Sequence, residues 1–331
     1  MNFLVKNKIF ILLLLIISLN ASAQQNAPFS LLFYNVENLF DTINSPYVSD
    51  GEFTPDGSKK WNTRRYYDKL NNLSKVIIAA GKWNPPDIIG IAEVENKKCL
   101  YDLTGKTVLS KMRYRIVYHE SEDRRGIDVA LAYNPETFCV LHDTALRVHF
   151  ANQPQLRTRD ILHVTGVIQQ WNDTIHVFLC HFPSRYGGAA RSEHKRLAAM
   201  HVLTDAIEKV YNKNPSAHIV VMGDFNDYPH NKAPQTLLST FTHNKMIKTT
   251  DSLHKGTYVY KGVWNELDHC YISDFLTHNY SYSFSIISYD FMLQKHKNGK
   301  TAPRRTYLGS YYLGGYSDHL PILFRMQKKQ N

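Results

Sequence analysis

The chain has 331 residues, a formal net charge of +10 at pH 7, 43% hydrophobic residues and four cysteines. That length supports a large core in one domain or two, and four cysteines in so long a chain exclude a disulfide scaffold. No Cys/His spacing marks a structural zinc site. The positive charge favours polyanions such as nucleic acid, phospholipid or inositol phosphates, without choosing among them.

The first element is a leader. Lys6 and Lys8, an apolar run from Ile9 to Ile17 and Ala21-Ser22-Ala23 make a charged region, a hydrophobic region and a small-residue cleavage site. Residues 1–23 are therefore expected to be a secretory signal peptide. The run falls short of the roughly 20 apolar residues that span a bilayer. Export to the periplasm or medium follows as an expectation, with residues 24–331 as a single domain.

Residues 29–40 read as a strand ending in Asn35 and Glu37, and 41–58 as an irregular loop. From 62 to 80, Tyr66, Leu70, Leu73, Val76, Ile77 and Ala80 fall at helical spacing, and Gly81 stops the helix. Residues 86–95 form a buried strand ending in Glu93 and Glu95, followed by a short helix over 96–103. Strands are predicted at 114–118, 127–133 and 137–150. A hairpin joins 162–171 to 174–180 through Asn172-Asp173. His181 follows it, and Gly187-Gly188 open a helix from about 190 to 211. Later strands are predicted at 257–260, 267–272, 281–292 and 320–324, with a basic loop over 295–305. Cys139, Cys180 and Cys270 lie in apolar strand-like runs, so buried thiols are expected. No internal repeat or linker splits the chain, and the mixture of elements argues α+β with strand packed on strand.

The chemistry gathers at strand ends. His218-Ile219-Val220-Val221-Met222 runs straight into Gly223-Asp224-Phe225-Asn226. The apolar run predicts a buried strand, and the glycine a sharp exit or a close backbone approach. Residues two apart on a strand share a face, so Asp224 and Asn226 should project together, as should Asn35 and Glu37. Singly, each such end has a bland reading: a satisfied strand-end charge at Glu93, a core histidine at His181, an exposed edge pair at Asp268-His269. Six of them, with Asp318-His319 the last, are harder to dismiss, because carboxylates and histidines avoid apolar strand ends unless paired or liganded.

In this order the segments resemble the endonuclease/exonuclease/phosphatase superfamily over nearly the whole mature chain. Asn35-Val36-Glu37 resembles its first-strand motif. Ile91-Ala92-Glu93-Val94 resembles its metal-binding motif, with Ala92 where Gln is usual. His181, Gly223-Asp224-Phe225-Asn226, Leu267-Asp268 and Ser317-Asp318-His319-Leu320-Pro321 resemble the remaining ones. The resemblance implies a four-layered α/β/β/α sandwich like that of deoxyribonuclease I, and metal-dependent hydrolysis of phosphate esters. It makes Glu93 the principal ligand of Mg2+ or Mn2+, helped by Glu37 and Asp318. His319 becomes the general base, held by Asp268. Asp224 and Asn226 place the attacking water and the phosphoryl oxygens. His181 donates to the oxyanion or protonates the leaving group, and Asn35 fixes the ligands and the phosphate. Asp128 is a candidate carboxylate behind His181. Arg185, with Arg191 or Lys195, is a candidate phosphate binder.

The substrate is less legible. An exported nuclease, an endonuclease on DNA with RNA a second candidate, is the leading expectation. A phosphatase or a sphingomyelinase-like phospholipid phosphodiesterase is the alternative. Trp264-Asn265-Glu266-Leu267-Asp268-His269 stands where the inositol 5-phosphatase branch carries Trp-Cys-Asp-Arg, which disfavours that branch. Aromatic stretches at 280–284 and 307–316 suit membrane contact, base stacking or the core. The presence of both Asp224 and His319 argues against a non-catalytic scaffold, and no obligate protein partner is inferred.

Overall fold

A computed structural model describes residues 27–82, 84–296 and 299–330; the expected signal peptide lies outside the described residues. Strand β1 (Phe29–Leu39), helix α1 (Thr63–Ala80) and β2 (Ile88–Val94) open the chain. Helix α2 (Lys97–Gly105) leads to β3 (Arg115–Tyr118), β4 (Asp128–Tyr133), β5 (Phe138–Leu146), β6 (Ile161–Ile168) and β7 (Asp173–His181). Helix α3 (Ala189–Lys213) crosses to β8 (His218–Asp224), followed by α4 (Lys232–Thr240) and β9 (Met246–Lys248). A small hairpin, β10 (Tyr258–Tyr260) with β11 (Val263–Asn265), precedes β12 (Asp268–Ser273), α5 (Asp274–Asn279) and β13 (Tyr280–Ile286). Two more hairpins, β14 (Leu293–Lys295) with β15 (Thr301–Pro303) and β16 (Tyr307–Leu308) with β17 (Tyr311–Tyr312), lead to the last strand, β18 (Ile322–Lys328).

Two six-stranded mixed sheets carry the fold, ordered β13-β18-β1-β2-β4-β3 and β5-β6-β7-β8-β12-β9. Each holds one parallel pair, β1/β2 and β7/β8, bridged by α1 and α3 respectively. A parallel pair needs such a crossover, and the helix it places on the sheet covers that sheet's outer face. The run from Ile219 to Met222 is apolar throughout for that reason. Val220 and Met222 join the core between the sheets, while Ile219 and Val221 pack with Met200, Leu203 and Ile207 of α3. On the other side, the α1 stripe Leu70, Leu73, Val76 and Ile77 is buried, with Asn62 capping the helix by accepting from Arg65 N. Helix, sheet, sheet, helix is the α+β sandwich that the sequence suggested.

The departures have local causes. The predicted 137–150 strand stops at Leu146, and 281–292 divides into β13 and a 3-10 turn at Asp290–Met292. The 295–305 loop contains β15. Helices α4 and α5 and strand β9 were not predicted; they are short and follow turn-rich sequence. Cys139 is exposed, contrary to expectation, because β5 is an edge strand with one face in solvent. Cys99, Cys180 and Cys270 are buried, and all four thiols are free.

Candidate active site

The sheets deliver the polar strand ends to one place through their register. His181 pairs with Asp224 across β7/β8, and Asp224 with Asp268 across β8/β12. Gly223 marks a close approach: a Cβ there would lie 2.4 Å from the Cys180 carbonyl oxygen. From the facing sheet, Asn35 donates to Asp224 Oδ2 at 3.0 Å and to Glu93 Oε1 at 3.4 Å.

Glu37, Asn38, Glu93 and Asn226 have left-handed backbones, with φ of 52°, 55°, 66° and 48°. Such conformations in non-glycine residues cost roughly 1–3 kcal/mol each and cluster at functional sites. The first three coincide with register breaks between Asn35 and Leu39 on β1 and between Ala92 and Val94 on β2. Bulges of this kind re-aim side chains. The simple two-residue rule therefore fails: Asn35 Oδ1 turns back to accept from Glu37 N, while Glu37 reaches Thr306 N at 2.6 Å and Tyr307 N at 3.3 Å. Asp224 and Asn226 do converge, through a turn in which Asp224 Oδ1 accepts from Asn226 N at 2.8 Å. The Asn226 amide donates to the Phe182 carbonyl at 3.0 Å.

His319 Nδ1 lies 2.7 Å from Asp268 Oδ2, and its Nε2 lies 3.8 Å from Asp224 Oδ2. Ser317 accepts from His319 N and donates to the Asn35 carbonyl, which ties the loop before β18 to β1. Burial alone would lower the His319 pKa, but the charges of Asp268 and Asp224 outweigh it and hold the imidazole well above the usual range. Burial first, then the Asp268 charge, pushes Asp224 up to about 7, against the pull of His319. His181 differs. Burial, then Arg159, Arg125 and His319, hold it well below the usual range, so this imidazole is neutral. Its Nε2 lies 3.7 Å from both Glu93 Oε1 and Asp224 Oδ2.

Glu37 and Asp318 do not stand free beside Glu93. Arg305 bridges them, Nη2 to Asp318 Oδ2 at 2.9 Å and Nε to Glu37 Oε1 at 3.5 Å. Buried Lys69 sits among the same acids and donates to Thr306 Oγ1 and the Tyr316 carbonyl at 2.6 Å each. Burial, then the neighbouring Asp318, raises the Glu37 pKa. A divalent cation fits this donor set. The oxygen donors are hard and partly dehydrated, and five converging carboxylates (Glu37, Glu93, Asp224, Asp268 and Asp318) outnumber the cationic side chains. Asp224, Asp268 and His319 also present ligand atoms within 4.8 Å of one another. The 2.7 Å contact between the last two is a hydrogen bond that orients the ring.

Glu93, His181, Asp224, Asn226, Asp318 and His319 open into a cavity of about 700 Å3 that Arg125, Arg185, Tyr186, Tyr228, Tyr258 and Tyr260 also line, while Glu37 and Arg305 line a smaller one of about 120 Å3. Arg185, expected as a phosphate binder, stacks on Tyr228 at 4.1 Å from the ring centroid, and Tyr258 packs on the His319 ring at 4.9 Å. Asp128 is not the partner of His181. It accepts from Tyr118 OH at 2.6 Å and Ser121 N at 3.0 Å, and His181 Nδ1 has no hydrogen-bond partner among the described residues. His269 is fully buried rather than on an exposed edge, stacked on Phe225. Sequence reading missed Arg305, Lys69, Arg125 and Tyr258. Lys69 alone carried a signal, a lysine three residues after Tyr66 and four before Leu73 on the apolar stripe of α1.

A family model described as "Endonuclease/Exonuclease/phosphatase family" matches residues 30–328. No curated protein sequence matches the chain. Similar solved structures include the human Nocturnin catalytic domain, at 16% identity and a TM-score of 0.57, covering 91% of this chain and 95% of that one. A mannosyl-6-phosphatase from Bacteroides thetaiotaomicron aligns at 12% identity and a TM-score of 0.57, over 90% and 99% of the two chains. TDP2 from C. elegans aligns at 15% identity and a TM-score of 0.55, over 91% and 75%. At these identities the likeness concerns the fold.

Proposed function

The chain belongs to the endonuclease/exonuclease/phosphatase family and is a phosphoric ester hydrolase; from that premise we propose that it cleaves phosphodiester bonds in nucleic acid, with Mg2+ or Mn2+ as its cation. The observation that carries this reading is the catalytic cluster opening into a cavity walled by two arginines and four tyrosines. Arginines suit backbone phosphates, and tyrosine faces suit unstacked bases.

In the proposed mechanism Glu93, with Glu37 and Asp318 nearby, would hold the divalent cation, which would supply positive charge to the phosphoryl oxygens. His319 Nε2 faces Asp224 and takes the proton of the attacking water, while Nδ1 donates to Asp268, which fixes the tautomer and steadies the imidazolium. Asp224 orients that water. The Asn226 amide and neutral His181 act as hydrogen-bond donors to the phosphoryl group. A neutral, low-pKa His181 is better suited to donating one hydrogen bond than to acting as a charged acid. Asn35 locks Glu93 and Asp224 together.

A second reading, a small phosphate ester as substrate, is favoured by the size of the cavity, which falls within the range for small-molecule sites. A phospholipid is the further alternative within that reading. The leader at residues 1–23 supports export and a mature chain of one domain. The two substrate readings separate when the purified protein is given supercoiled plasmid and sugar phosphates in parallel. Strand cleavage without release of inorganic phosphate is expected; phosphate release from the small esters with intact plasmid would replace the first reading by the second.

A further inference from the structure

The acids of the site divide by partner. Asp268 is paired with the His319 ring. Glu37 and Asp318 share the Arg305 guanidinium, with Lys69 buried beside them. Among the described residues, Glu93 and Asp224 have no lysine or arginine in ion-pair contact; each lies 3.7 Å from His181, and both accept from Asn35. With Asp268, Glu37 and Asp318 compensated in this way, Glu93 and Asp224 are left as the carboxylates that a dication would face, Asp224 also lying 3.8 Å from His319 Nε2.

Arg305 is held in place by more than its ion pairs. It lies between β15 and β16, where Arg304 N donates to the Met292 carbonyl at 2.7 Å and Tyr316 N to the Arg304 carbonyl at 2.6 Å. The strand end carrying Ser317-Asp318-His319 presses directly on this segment. A Cβ at Gly315 would lie 2.1 Å from the Arg304 carbonyl oxygen and 2.2 Å from that of Arg305, so only glycine permits the approach. The same backbone donates to Glu37 through Thr306 N and Tyr307 N, which sets that carboxylate beside the guanidinium.

We propose that Arg305 is a resident cation of the metal centre: by bridging Glu37 and Asp318 it takes the role of a second ion, so that the chain binds one divalent cation, at Glu93. The inference rests on the metal-dependent reading above. Arg305 acts through the carboxylates it pairs and is a positioning residue. A fixed guanidinium between two acids repels an incoming dication and uses the lone pairs that it would need.

The test is a Mn2+ titration of the purified protein, with free Mn2+ followed by electron paramagnetic resonance and folding checked by circular dichroism. The wild type should bind one Mn2+ per chain. Arg305→Met should bind a second ion, or the first at least tenfold more tightly, and Arg305→Lys should return to one. Glu93→Gln should lose the ion while staying folded. Two ions on the wild type would overturn the inference, a result that does not require the variant to fold. A folded Arg305→Met with unchanged count and affinity would overturn it as well. So would retention of the ion by Glu93→Gln combined with its loss from His319→Ala, which would place it at the Asp224 and His319 group. A wild type that binds no Mn2+ would refute the metal-dependent reading itself, an outcome distinct from the others.

Discussion

At the scale of the residue, His319 is set by its two neighbouring carboxylates. Because Asp268 and Asp224 hold its pKa well above the usual histidine range, the free base gains population as pH rises, and kcat/KM should climb toward alkaline pH. Asp268→Asn should shift that limb to lower pH and reduce its plateau, as a pH-rate profile would show. His319→Ala and Asp224→Ala should each cut turnover by about 10^2- to 10^4-fold with the circular dichroism spectrum unchanged. Asp128, which belongs to a separate network, should behave differently. Burial lifts its pKa to about 6, against an unfolded value of about 3.9. The proton therefore binds more tightly to the folded chain. The contribution to stability is complete below about pH 4 and disappears as pH rises through about 6, a change of about 3 kcal/mol. Urea denaturation from pH 4 to 8 should show a fall in stability smaller by this amount in Asp128→Asn than in the wild type, and the variant should keep its activity.

At the scale of the element, the rim of the cavity depends on the first turn of α3. Arg196 and Asp227, each 1% exposed, approach to 3.0 Å, and Arg196 also donates to Ser192 Oγ and the Ala189 carbonyl at 2.8 Å. Removing one partner of a buried pair leaves an uncompensated charge, so Arg196→Met should cost about 3–5 kcal/mol in denaturant unfolding. Asp227→Asn with Arg196→Met should recover part of that loss. The regular elements were legible in the sequence because period and burial agreed, as in α1 and the run from Ile219 to Met222. What was not legible came from irregular backbone. Left-handed residues at Glu37 and Glu93 break the alternation that sequence reading assumes, and no periodicity announces them. Arg305 was hidden for a related reason: its segment reads as a basic loop, and only the contact with Gly315 returns it to the site.

At the scale of the molecule, two half-structures each contribute a parallel pair with its crossover helix, and the site forms where their strand ends meet. The motif residues were legible as a set because they cluster toward the ends of buried strands, Glu93, His181 and Asp224 at the exits of β2, β7 and β8 and Asp268 and His319 at or just before the starts of β12 and β18. The surroundings of His181 were not, because strand spacing alone does not say which way a strand-end side chain turns: Asp128 faces Tyr118, and His181 Nδ1 has no hydrogen-bond partner among the described residues. The net charge of +10 should make association with a polyanion steeply salt-dependent, so cleavage of plasmid at subsaturating enzyme should fall sharply between about 50 and 200 mM salt. The most direct test of the central claim is plasmid nicking by the purified protein with Mg2+ or Mn2+ and with EDTA, with Asp224→Ala alongside. Metal-dependent nicking that EDTA abolishes and the variant lacks is the predicted result. Equal nicking in EDTA, equal nicking by the variant, or an intact plasmid after incubation with folded wild-type protein and metal would contradict it.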